Sequence, residues 1–404
     1  MNILYRVNAF KYGSALALWT ITIAVTLTSQ IATRANDWPQ FRGPARNGIS
    51  AEQGLLSAFP AAGPKRVWGV DIGKGFSNVA IKTGRVYAIG NANDQDIVHC
   101  LNATTGRMIW QYRYPCGAGD YEGPRATPLL AGNNVYTLSR EGLALCLNAQ
   151  TGKVIWQKNI ARETGAAAPG WGFAGSPLLS GNMVVYNIGS AGTALDKTTG
   201  KIVWKSGPGV SGYSSPVTFG GGVAIFGAKG LTAVNPATGK ALWQYPWETS
   251  YDVNAADPIF SGDTVFISSN YGKGGALLRV SGNKVTPVWQ SRNMKNHFNT
   301  CVQVGSAMYG NDENTLRCID VATGNERWSM RGMGKGGLIA ADGKLIVLTE
   351  RGELVLIRAT PEKLTELARA KVMNGTCWTH PVLANGVVYC RSQEGSLVAF
   401  RLKS

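Results

Sequence analysis

Residues 126–156 read ATPLLAGNNVYTLSREGLALCLNAQTGKVIW. Four short β-rich runs, ATPLL, VYTLS, LALCLNA and VIW, are separated by AGNN, REG and QTGK, the punctuation of an antiparallel meander. The Asn-x-x-Thr-Gly turn supplies a residue tolerant of positive φ just before the last strand. The closing Trp156 offers a large flat face and an N–H that can dock against a neighbouring unit.

The same unit recurs along the chain. TGRMIW (105–110), TGKVIW (151–156), TGKIVW (199–204), TGKALW (238–243) and TGNERW (323–328) are one motif, and GPKRVW (63–68) and NKVTPVW (283–289) are weaker copies. Their tryptophans, Trp68, Trp110, Trp156, Trp204, Trp243, Trp289 and Trp328, are 39 to 48 residues apart. That period is one four-stranded propeller blade, and it decides the fold. Trp110, Trp156, Trp204, Trp243 and Trp328 are expected to be buried at equivalent positions between blades.

Innermost strands are predicted near Ser77–Ile81, Ala126–Leu130, Gly175–Leu179, Ser214–Thr218, Ala256–Phe260, Asn299–Gln303, Gly336–Ala340 and Thr379–Leu383. The sequence therefore predicts an all-β, eight-bladed β-propeller of four-stranded antiparallel blades with tryptophan-docking motifs. The eighth repeat stops after three strands, while Arg66–Val70 is an outer strand without a blade. Pairing Arg66–Val70 with Ser396–Leu402 closes the ring and removes both exposed edges. Blade seven carries Pro361–Val372 in place of the tryptophan turn.

Residues 1–35 hold Arg6, Lys11 and Arg34 and no acid, around an apolar centre at Ala15–Leu27 that ends in Thr33-Arg34-Ala35. This pattern reads as a signal peptide; an uncleaved membrane anchor is the alternative. The expected organisation is a leader (1–35), an extended arm (36–62) and one propeller (63–404). Localisation is then periplasmic or secreted. The 404-residue chain has a formal net charge of +16, or +13 without the leader. The basic residues are scattered over predicted outer strands, so no nucleic-acid interface is expected. Membrane contact is expected only transiently or through the anchor.

Cys100, Cys146 and Cys318 take the same place in three repeats, where a small buried side chain suffices. Cys116 and Cys377 fall in inter-blade loops and are the expected redox-active pair. There is no CxxC, HxH or HExxH, and the three Gly-Lys-Gly triplets lack the residues of a phosphate-binding loop.

The Ala/Asp-x-x-Thr-Gly-x-x-x-Trp repeat resembles the tryptophan-docking motif of the pyrroloquinoline-quinone (PQQ) dehydrogenase superfamily, to which BamB-like assembly factors belong. Trp38-Pro39-Gln40-Phe41-Arg42-Gly43-Pro44 resembles the lead-in of PQQ-like proteins secreted by planctomycete-type bacteria. The resemblance spans residues 37–404 and is specific for fold, not activity. The alcohol-oxidising members carry vicinal cysteines, a Ca²⁺ site and an Asp base. This chain has no adjacent cysteines, and Glu122, Asp252 and Asp257 are the only acids in loops leading plausibly into inner strands. The resemblance thus implies a non-catalytic, BamB-like scaffold without cofactor or metal, a monomer with a protein partner at the cell envelope. The alternative is a PQQ- and calcium-dependent dehydrogenase of alcohols or sugars.

Segments that enter the innermost strands converge on one mouth of a propeller. Arg125, Trp171, Tyr213, Asp252, His297, Lys335, Trp378 and His380 are accordingly expected at one end of the channel. Aromatics beside cations suit a polar small molecule or glycan with a flat face, or an inserted peptide. Mutual plugging of the channel is the competing reading.

Overall fold

The middle strands of each repeat are nearly continuous apolar runs, as strands covered on both faces must be. Arg85–Ala92 and Gln95–Asn102 are buried except at their ends, whereas the fourth strand of that repeat, Met108–Pro115, is largely exposed or half-buried. The computed structural model describes residues 36–403, so the predicted leader lies outside the described residues. It arranges the repeats as eight antiparallel blades, with one five-residue α-helix, Ile160–Thr164, between blades two and three.

The ring closes as expected. Arg66–Asp71 pairs antiparallel with Ser396–Arg401, placing Trp68 opposite Ala399 and Val70 opposite Leu397. Arg391, buried in blade eight, reaches into blade one and donates to the Ser77 carbonyl (2.5 Å), the Ser77 hydroxyl (2.7 Å) and the Ile89 carbonyl (2.8 Å).

Trp68, Trp110, Trp156, Trp204 and Trp289 lie on the Thr-Gly turn of the next blade, and Trp328 lies on the Thr360 turn that replaces it in blade seven. Trp68, Trp110, Trp156, Trp204, Trp289 and Trp328 donate Nε1–H to the carbonyls of Ala103, Ala149, Lys197, Pro236, Val321 and Thr360 at 2.8–3.0 Å. Gly152 and Gly200 pack so closely on Trp110 and Trp156 that an added Cβ would lie 2.6 and 2.7 Å from the rings. The turn glycine therefore serves positive φ and ring stacking together. Trp243 differs because blade five replaces the Thr-Gly turn with a hairpin at Ser281–Lys284. Its ring packs on Phe219, itself stacked on Phe260. Trp110 corrects the expected burial: it is half-buried, as is Trp289, while the other five are buried.

Seven of the eight innermost strands begin three residues later than predicted, at Ala80, Leu129, Leu178, Val217, Ile259, Val302 and Val382; only that of blade seven, Gly337–Ala341, starts within one. The leading residues bond sideways instead. The backbone N–H of Asn78 donates to Thr127 Oγ1, that of Thr127 to Ser176 Oγ, that of Ser176 to Ser215 Oγ, that of Ser215 to Asp257 Oδ1 and that of Asp257 to Thr300 Oγ1, all at 2.7–3.1 Å. This girdle satisfies backbone groups that would otherwise be orphaned at the channel. Gly337 and His380 hold the remaining equivalent positions, and a Cβ on Gly337 would meet the His380 backbone at 2.6 Å.

Candidate functional site

The arm crosses the channel. Trp38 pairs with Ile81 of blade one, the Pro39 carbonyl accepts from Leu130 N–H of blade two, and Arg46 donates to the Pro177 carbonyl at blade three. Arg42 reaches the Cys301 carbonyl at blade six (2.6 Å), and Ile49–Ser50 adds a short parallel strand to the inner edge of blade seven. Contacts on opposite sides of the ring place this segment across its axis. Arg42 and Arg46 adopt positive φ (63° and 54°), with Gly43 between them at 81°.

Above the arm lies a cavity of about 220 Å³. Phe41 forms part of its floor, with Ser176, Ser215, Asp257 and His380 of the girdle. One wall pairs Trp171 with Tyr213 (ring centroids 5.9 Å). Opposite, Trp378 stacks on Phe76 (5.7 Å) and tilts against Phe298 (5.1 Å) and Tyr121 (6.2 Å). Glu350 sets this wall, accepting Trp378 Nε1–H and the Lys335 backbone N–H at 3.0 and 2.9 Å. The Lys335 ammonium sits over the Trp378 ring and the Arg125 guanidinium over Phe76.

Seven of the eight expected mouth residues, Arg125, Trp171, Tyr213, His297, Lys335, Trp378 and His380, line this one cavity. Asp252 does not. It sits at the end of a tight turn with φ 56° and turns outward to Lys229 at 2.9 Å. The acid on the cavity is Asp257, five residues on. Glu122 pairs with Lys74 outside it. Asn254 is an anchor, donating to the carbonyls of Gly227, Ala228 and Trp247. Sequence reasoning missed Phe41, Phe76, Tyr271 and Phe298. Phe76 precedes the predicted inner strand at Ser77 and Phe298 follows His297 directly, whereas Tyr271 comes from a turn between the second and third strands of blade five.

Burial governs the electrostatics. It pushes His297 down to about 4, helped by Lys335, and His380 to about 3, helped by Arg42, so both imidazoles are neutral near pH 7. Arg125 is lowered to about 10 by burial and Arg140, and stays charged. Burial raises the Asp257 carboxyl, while Arg46 and Arg42 pull it back toward the ionised form. The expected redox pair is corrected here. Cys116 and Cys377 are buried free thiols, raised by burial in separate surroundings, near Asp96 and Glu141 in one case and Glu394 in the other.

The family described as outer membrane protein assembly factor BamB matches residues 118–330 and 312–404. The chain belongs to the BamB family. BamB of Burkholderia pseudomallei (strain K96243) is 26% identical over 382 residues, 86% of this chain and 90% of that protein. The tetrathionate hydrolase of Acidithiobacillus ferrooxidans is 26% identical over 243 residues, but only 48% of its length is covered. Among solved structures, BamB from Moraxella catarrhalis aligns with a TM-score of 0.62 at 17% identity, over 84% of this chain and 98% of that one. A europium-containing methanol dehydrogenase aligns at 0.69 and 14%, over 90% and 89%. At these identities the structural likeness speaks for the fold the BamB family shares with such enzymes.

Proposed function

We propose that the chain is an extracytoplasmic, non-catalytic scaffold that holds a protein partner at the cell envelope and serves outer-membrane protein assembly. The observation that carries this reading is the match along 90% of the Burkholderia BamB. The leader-like start of the sequence supports export. Ile109, Ile155, Val203 and Val288 on the outermost strands of blades one, two, three and five leave apolar side chains 42–47% exposed, which supports a protein-facing rim.

The donor set does not suit calcium-bound PQQ. A hard cation asks for six or more oxygens, and Asp257, the one carboxylate on the cavity among the described residues, is faced by two guanidiniums that would repel a metal ion. The same pairing leaves Asp257 ill-suited as a base. Removing the gene from its host should lower the amount of folded outer-membrane β-barrel protein, and restoring it with Ile109→Glu and Ile155→Glu should not recover that amount. Unchanged barrel levels on removal would sink the reading. Dye-linked oxidation of alcohols or sugars on adding PQQ and Ca²⁺ would replace it with the dehydrogenase.

A further inference from the structure

The mouth cavity carries more positive charge than its own acids answer. Arg125 donates only to the carbonyls of Asp120, Tyr121 and Gly123, and Lys335 holds its ammonium over Trp378; among the described residues neither has a carboxylate partner. Asp257 is outnumbered by Arg42 and Arg46 behind it. Two buried polar atoms on the lining, Asp257 Oδ2 and His297 Nδ1, have no hydrogen-bond partner. A ligand supplying an anion, hydroxyls and a flat apolar face would answer all three features.

Shape narrows the choice. The arm closes the floor, so only the end of a longer molecule can enter. A polar shelf adjoins the cavity, made by Asn270, Glu313, Asn314 and Glu350 from the second-to-third-strand turns of blades five, six and seven. Tyr271, His297 and Lys335 belong to both cavity and shelf. Tyr271 (φ 55°) and Glu313 (φ 56°) are held in the left-handed region, strain of the kind stored at binding sites. Planar amides and carboxylates beside a tyrosine face recognise vicinal hydroxyls. A peptide adding as a strand would need unpaired backbone groups, and the girdle has already used those beside the channel.

We propose that the mouth binds the acidic terminal unit of an oligosaccharide, its carboxylate between Arg125 and Lys335 and its ring between the Trp171 and Trp378 walls, with the following neutral units on the shelf. This site stands apart from the protein-facing rim, and its test does not depend on the scaffold reading.

The test is calorimetric titration of the full chain with a glucuronate-capped cello-trisaccharide, neutral cellotriose, free glucuronate, an acidic tripeptide and PQQ. The capped trisaccharide should bind at least tenfold more tightly than each of the others. Lys335→Met should erase its advantage over cellotriose, while Glu313→Gln with Asn314→Ala should weaken the trisaccharide about tenfold and leave glucuronate unchanged. The melting temperature of each variant checks its fold, and Lys335→Met keeps the test decisive should the shelf pair unfold. Equal binding of capped and neutral sugars, tighter binding of the tripeptide or of PQQ, or no binding by a folded chain would each overturn the proposal.

Discussion

The guanidinium of Arg391 holds the carbonyl and hydroxyl of Ser77, 314 residues earlier in the chain. A side chain from the last blade thus caps the entry of the first, next to the strand exchange of Arg66–Asp71 with Ser396–Arg401. Closure rests on both.

Arg391→Met should therefore cost about 2–5 kcal/mol, because it orphans the buried Ser77 carbonyl and leaves the Ile89 carbonyl only the Ser77 hydroxyl. Deleting residues 399–404 removes Phe400 and Leu402 from the core and exposes a strand edge, so it should lower the melting temperature further still. Calorimetric melts of both variants check this. A loss under 1 kcal/mol in the deletion would contradict the closed ring.

The docking tryptophans divide by their N–H partners. Trp→Ala at Trp156, Trp204 or Trp328 should cost about 3–5 kcal/mol. Trp→Phe keeps most of the packing and loses the hydrogen bond, which should cost about 1 kcal/mol at Trp156 and Trp204. Among the described residues Trp243 makes no such bond and tilts against Phe219 instead, so Trp243→Phe should cost measurably less. Denaturant midpoints of the three Phe variants decide it.

Protonation gives a signed test. His380 titrates near 6.5 in the unfolded chain and near 3 in the fold, so the unfolded state binds the extra proton at intermediate pH. This contribution is full above about 6.5 and is lost as pH falls from there toward 3. It should amount to about 2 kcal/mol lost by pH 5. His380→Gln should flatten the slope of melting temperature over pH 7 to 5. An unchanged slope would mean that water reaches the ring.

Arg42 and Asp257 face each other without direct contact. A double-mutant cycle of Arg42→Met and Asp257→Asn should show a coupling of about 1–2 kcal/mol. Additive losses would show that attraction between Arg42 and Asp257 does not help to hold the arm.

The blade period, the eight inner strands and the closing pair were legible because each rests on local pattern, turn chemistry and alternating burial. Strand starts were not, because side-chain caps such as Thr127 and Ser176 take over the backbone groups at the channel, and Ser-Pro or Thr-Pro reads equally well as the beginning of a strand. In the site, entry segments could be placed on one mouth by topology alone. Which of two acids five residues apart turns inward, Asp252 or Asp257, depends on a positive-φ turn that no pattern announces. Phe41 was hidden for a different reason: the path of the arm is set by contacts with blades up to 349 residues away.

Ring closure also fixes a timetable. At roughly 5–20 residues per second of synthesis, the 314 residues between Ser77 and Arg391 take roughly 15 to 60 s to make. Throughout that interval the nascent chain carries a finished strand, Arg66–Asp71, whose partner does not yet exist. Every premature stop before Ser396 leaves that strand widowed, with an unpaired edge ready to pair with another chain. Until the last blade is made, the first ring strand is the edge along which a growing chain is most open to pairing with a neighbour.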